Sequence, residues 1–225
     1  MIATQEHPIL FNGEMVRAIL EGRKTQTRRP IKMPFEGLEF VGWHPEDASI
    51  ARFMREDAVG TTHWSSRCPY GIPGDRLWVR ETWAPVDDLM YGYELDSPEW
   101  VMFRADGVLW NTMSKVQGDR GDLVDPDRWS PSIHMPRWAS RIDLEVRRVE
   151  VQRIQDISQR DALYEGCPGG RDELNRRTVE MLSDSSTGAA MRVWFRDQWD
   201  AIYADRGLGW DVNPWVWGIY FRRVP

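Results

Sequence analysis

Apolar and polar positions alternate along this chain in two rhythms, and the switches between them outline its elements. Residues 8–11 (Pro, Ile, Leu, Phe) form a short apolar strand. Asn12 can then cap a helix in which Met15, Val16, Ile19 and Leu20 share one face while Glu14, Arg17 and Glu21 point away. Gly22 is the expected stop. A basic strand runs from there to Pro30.

Residues 33–73 show weak periodicity and many turn formers, and predict an insertion of short strands. Gly74-Asp75 turns into a strand over 76–83 that places Leu77, Val79 and Glu81 on one face and Trp78, Arg80 and Thr82 on the other. Residues 100–105 read as a strand, Asp106-Gly107 as a hairpin turn and 108–110 as the return. Residues 111–136 are polar and loop-like and predict a second insertion. The alternation from Ile142 to Val146 resumes after Arg147-Arg148 with its parity shifted, which predicts a bulge in a long strand. Ser158 caps a short helix over 161–165 that stops at Gly166. One helix is expected near 171–182. Another, over 189–203, buries Phe195, Trp199, Ile202 and Tyr203. The last strand, 215–224, sets Trp215, Trp217, Ile219 and Phe221 on one face. A bulged long strand with helices near both ends of the chain predicts a mixed α+β fold, a small β-barrel with flanking helices and two loop-rich insertions near 33–73 and 111–136.

Composition narrows the class. At 225 residues, 41% hydrophobic and 28% charged, the chain matches one globular domain spanning 1–225. No run is long enough to cross a membrane, no secretory signal opens the sequence, and two cysteines make no disulfide framework, so a cytoplasmic setting is expected. The net charge of -6 argues against nonspecific coating of nucleic acid, so any such contact requires a local patch. One exists: Arg17, Arg23, Lys24, Arg28, Arg29 and Lys32 stand against only Glu14 and Glu21. The 13 tryptophans are spread along the chain and suit packing more than one site. His44, His63, Cys68 and His134 have no zinc-ligand spacing, and no phosphate-binding glycine loop appears, so neither metal nor cofactor is expected.

The segment Gly22-Arg23-Lys24-Thr25-Gln26-Thr27-Arg28-Arg29 carries the candidate chemistry. A lysine beside a threonine can hold an anion or activate the hydroxyl. A basic edge strand that resists aggregation is the plainer alternative. Together with Gly74-Asp75-Arg76-Leu77-Trp78-Val79-Arg80-Glu81, the run from Ile157 through Ser158 to Glu165-Gly166, and the last strand, this segment resembles the ASCH family of the PUA-like β-barrel superfamily. The similarity is greatest to the longer ASCH proteins of phages and prophages.

The resemblance implies a cleft beside the first helix, with RNA or a modified nucleoside or nucleotide as partner. Some members remove an acyl group from the exocyclic N4 of cytidine derivatives, and others are described as ribonucleases. Carried over residue by residue, the amidohydrolase set falls on Lys24, Thr27 and Glu165. Thr27 is then the nucleophile, Lys24 its base with a pKa lowered by neighbouring arginines, and Glu165 the acid that protonates the leaving amine. A backbone N–H near Thr27, or Arg28, is the candidate oxyanion donor. This arrangement requires Lys24 to sit in the turn, because in a regular strand Lys24 and Thr27 face opposite sides. Glu165 at a helix C-terminus is electrostatically misplaced, which favours a functional role. Arg23, Arg28 and Arg29 are expected to contact the base or RNA, with Arg80, Glu81 and Trp83 as further cleft-wall candidates. A non-catalytic RNA-binding module and a ribonuclease are the competing functions.

Overall fold

The computed structural model describes residues 4–86, 99–119, 126, 128–168 and 185–224, with backbone alone at 185–189. Asn12 opens the first helix as its sequence predicts: its side chain accepts from the Met15 N–H, and α1 runs Gly13–Leu20 with Val16 and Ile19 buried. Strand β1 (Glu6–Leu10) precedes it, and β2 (Gln26–Pro30) follows after a turn through Gly22 at φ 68°. The described residues contain eleven strands and three α-helices, a mixed α+β fold.

Five strands form the main sheet. Its order is β1, β6 (Arg76–Arg80), β10 (Asp143–Arg153), β11 (Trp215–Val224), β2. β1 runs parallel to β6, and the other neighbours are antiparallel. The predicted bulge is present: the β10–β11 register slips between Val146 and Arg148. The expected barrel is not closed among the described residues. Closure needs a backbone ladder between the edge strands. Here the Arg29 side chain reaches across the gap instead, donating to the Leu10 carbonyl.

The first insertion carries the strands expected of it, and the described part of the second keeps its loop-like character. Residues 33–73 hold a three-stranded antiparallel sheet, β3 (Glu39–His44), β4 (Asp47–Asp57) and β5 (Gly60–Arg67). Its alternation is faint because the buried side of β4 is carried partly by small residues, Ser49 and Ala51, beside Phe53. The expected strand over 76–83 divides instead: β6 ends at Arg80 and β7 (Trp83–Val86) joins β8 (Trp100–Phe103) and β9 (Leu109–Asn111) in a third sheet. The described part of 111–136 has no strand beyond Asn111, and short 3₁₀ turns lie at Ser132–His134 and Arg137–Ala139. The helix expected at 171–182 lies outside the described residues. Among the described residues no helix is long and apolar enough to cross a membrane.

The last strand has apolar residues on both faces, so two cores meet on it. Trp217, Ile219 and Phe221 join Ile9, Phe11, Val16, Ile19, Leu77 and Leu144 on one side, where Phe53 from the β3–β5 sheet meets Trp215 edge-on and Trp43 packs at a tilt against Trp217. On the other, Val216 packs with Ile154, Ile157 and Ala162 and with Phe195, Trp199 and Tyr203 of α3 (Ser185–Tyr203). The third sheet has its own small core around Trp83, Val101, Phe103 and Met135. The short helix α2 (Gln159–Tyr164), capped by Ser158 through the Asp161 N–H, lies beside α3.

Candidate functional site

The turn after α1 and the end of α2 are tied together by backbone. Lys24 and Glu165 form an isolated antiparallel bridge, and the Thr25 N–H donates to the Tyr164 carbonyl at 3.0 Å. Arg23 and Lys24 both donate backbone N–H groups to the Ala18 carbonyl, so the turn stays wound against α1 and β2 begins only at Gln26. Lys24 therefore lies in the turn, outside the regular alternation of β2. Gly166 allows the close approach: its φ is 107°, and a Cβ there would lie 3.0 Å from Ala18 Cβ and 3.3 Å from Lys24 Cβ.

Side chains complete the junction. Lys24 Nζ donates to Glu165 Oε2 at 2.6 Å and to the Glu165 carbonyl at 2.8 Å. Arg28 Nη1 donates to Glu165 Oε1 at 3.1 Å, and Arg28 Nη2 lies 3.5 Å from Asp161 Oδ2. Each oxygen of Glu165 thus has its own cation. Gln26 Nε2 donates to the Asp161 carbonyl and carboxylate at 2.9 and 3.1 Å. Enclosure governs Lys24: burial pushes its pKa down, against Glu165, which raises it, and with Arg29 and Arg28, which lower it further. Asp161 is held below the usual carboxylate range: burial would raise it, but hydrogen bonds from Ser158 and Gln26 and the charge of Arg28 prevail.

Beside this junction is a cavity of about 390 Å³, within the range of small-ligand sites. α1 contributes Met15 and Arg17, β2 contributes Thr27, Arg28 and Arg29, and Glu165 and Gly166 close one end. The far wall is α3, through Trp194, Phe195, Gln198, Trp199, Ile202 and Tyr203. Thr27, Glu165, Arg23, Arg28 and Arg29 all face this space, while the Lys24 side chain lies wholly enclosed behind it.

Arg80, Glu81 and Trp83 are not among the lining residues. Arg80 donates to the Ile133 carbonyl and stacks on Trp78. Glu81 is buried in a two-toothed pair with Arg141, both contacts 2.9 Å, and Arg141 in turn holds Asp106. Trp83 packs edge-on against Trp138, 5.6 Å between centroids. Sequence reasoning missed the role of Arg17 and of α3 at the cavity. The α3 stripe was legible, yet Trp194 and Gln198, four residues apart on its margin, are the signal that the helix shows a second face to something. Among the described residues no group of three or more His, Cys, Asp or Glu is placed to hold a metal ion.

No family model matches the chain, and no solved structure matches it.

Proposed function

We propose that this is an ASCH-type protein of the PUA-like superfamily, that the cavity beside α1 takes a modified nucleobase, and that Lys24, Thr27 and Glu165 remove an acyl group from N4 of a cytidine derivative. In this reading the five-stranded sheet is the wall of the barrel-like domain, and α3 and the two smaller sheets are additions to it. The observation that supports the reading most is the enclosed 2.6 Å pair of Lys24 and Glu165 directly behind a cavity lined by Thr27.

Burial lets the pair work as a proton store. Transfer of one proton from Lys24 Nζ to Glu165 Oε2 replaces two buried charges by a neutral amine and a neutral acid. The amine accepts the Thr27 hydroxyl proton as that oxygen attacks the acyl carbonyl. Arg28 offsets the charge that develops on the carbonyl oxygen. As the C–N bond breaks, Glu165 delivers its proton to N4, and the nucleoside leaves. Water then cleaves the Thr27 ester, releasing the carboxylic acid and restoring the hydroxyl.

One observation favours a second reading, a non-catalytic base-binding module. The Lys24 amine is already bonded to both the carboxylate and the carbonyl of Glu165 and does not line the cavity. There it would serve as a cross-link between two chain segments.

Hydrolysis of N4-acetylcytidine by the purified protein separates the two. The enzyme reading expects turnover that disappears in Thr27→Ala and Lys24→Ala, while Thr27→Ala still binds substrate. It also expects the rate to fall as rising pH strips the pair of its one proton, because Glu165 then has none to deliver to N4, and burial, which lowers the Lys24 pKa, sets that fall below the ordinary lysine range. A folded wild-type protein that binds cytidine without turnover assigns the cavity to the binding module.

A further inference from the structure

The cavity carries more positive charge than its neighbours neutralise. Arg17, Arg23, Arg28 and Arg29 face it, against Glu14 and Glu165. Two of these cations are engaged: Arg23 by Glu21 at 2.6 Å, and Arg28 by Glu165 and Asp161. The other two have no carboxylate partner among the described residues. Arg29 donates to the Tyr203 hydroxyl at 3.3 Å and to the Leu10 carbonyl, and lies over the Phe11 ring at 5.1 Å. Arg17 donates to the Ala105 carbonyl at 2.6 Å. Hydrogen-bond accounting agrees with the charge count. A guanidinium has five N–H donors, and buried donors are nearly always satisfied. The Nε atoms of both Arg28 and Arg29 are buried without a partner among the described residues.

A ligand that presents several anionic oxygens answers this surplus better than a neutral one, because guanidinium and phosphate match in charge and in donor geometry. The α3 lining offers different chemistry. Trp194 and Trp199 supply ring area, and Gln198 supplies one donor and one acceptor group. A cavity lined by cations from α1 and β2 and by aromatic rings and an amide from α3 is suited to a molecule that carries both a phosphate and a base. Its volume suits one such unit, not a run of polynucleotide.

We infer that the cavity takes a nucleoside phosphate in preference to the free nucleoside, with the phosphate on Arg29 and Arg17, the α3 rings against the base, and Arg28 left to the acyl group. The inference rests on the reading of this cavity as a nucleobase site.

Calorimetric titration with ribose, ribose 5-phosphate, cytidine and cytidine 5′-monophosphate separates the two ideas. Each phosphate is expected to bind roughly 10- to 100-fold more tightly than its unphosphorylated counterpart, with the gap narrowing as salt rises. Arg29→Gln, shown to be folded by its circular dichroism and thermal unfolding, is expected to erase that gap. Arg17→Gln, at an exposed position, narrows the gap by about fivefold. Equal affinity within each pair overturns the phosphate inference and leaves the base reading intact. Cytidine monophosphate binding no more tightly than ribose 5-phosphate overturns the base reading and the nucleoside half of the inference. Failure of the folded protein to bind any of the four overturns both. Within a positive result, a 5′-phosphorylated oligocytidylate that outcompetes the mononucleotide identifies a nucleic-acid end as the source of the phosphate, and the reverse identifies a free nucleotide.

Discussion

Lys24 and Glu165, 141 residues apart in sequence, meet at 2.6 Å in an enclosed ion pair that joins the turn after α1 to the end of α2. Glu165 is the shared partner, since Arg28 occupies its other oxygen. Removing the acid therefore strips a neutralising group from two buried cations. Removing the lysine leaves the Arg28–Glu165 pair standing. Glu165→Ala is expected to lower unfolding stability by about 3–5 kcal/mol, and Lys24→Met by only about 1–2 kcal/mol. Urea unfolding of the two variants measures the order. A Lys24→Met loss equal to or above that of Glu165→Ala would show that the lysine, not the acid, holds the junction.

Gly166 tests the same junction from the backbone. A side chain there must adopt φ 107° and intrude on Ala18 and Lys24 at 3.0 and 3.3 Å. Gly207 also has positive φ, 71°, but a Cβ would meet nothing within 4 Å. Gly166→Ala is expected to cost about 3–5 kcal/mol from strain and overpacking together, against about 1–2 kcal/mol for Gly207→Ala from strain alone. Thermal unfolding of both variants gives the comparison; similar losses would mean that the packing around Lys24 yields easily.

Glu81 and Arg141 form another buried ion pair, outside the cavity. Arg141 lies over the Phe103 ring at 4.0 Å and bonds both Glu81 and Asp106. Truncating it leaves Glu81 buried without its counterion. Arg141→Ala is expected to lose about 3–5 kcal/mol of stability with no change in affinity for cytidine at temperatures where the variant is folded. A loss of affinity without a loss of stability would return Glu81 to the list of ligand-contacting residues.

Cys68 gives a pH dependence. Burial pushes its thiol from 9.0 up to about 12, despite a hydrogen bond from the Tyr70 backbone that lowers it. With the folded pKa above the unfolded one, the contribution to stability is fully present below pH 9 and is lost as pH rises toward 12. Between those limits only the unfolded chain releases the proton, a slope of about 1.4 kcal/mol per pH unit. Wild type is therefore expected to lose stability faster than Cys68→Ala as pH goes from 8.5 to 10.5 in matched urea titrations. Parallel curves would mean that water reaches the thiol in the folded protein.

Local signals carried much of the architecture. Asn12 and Ser158 each capped a helix because a short oxygen-bearing side chain before an apolar stripe satisfies free N–H groups at the helix start. The parity shift at Arg147 showed itself as a register slip because side chains on a strand alternate strictly. The apolar face of the last strand was equally legible. The β3–β5 sheet was harder to read because Ser49 and Ala51 occupy buried positions with little hydrophobic contrast.

The candidate site divides along the same line. By itself the sequence determined which residues are candidates: a lysine, threonine and arginines in one basic segment, and an acid at an unfavourable helix end. Tertiary structure alone decided their company. It brought Lys24 and Arg28 onto one carboxylate, set α3 opposite β2 to make a cavity, sent Glu81 to Arg141, and left β1 and β2 as the edges of an open sheet. The physical reason is range. Caps, turns and alternation depend on neighbours a few residues away, whereas burial and charge pairing depend on which distant segments share a core.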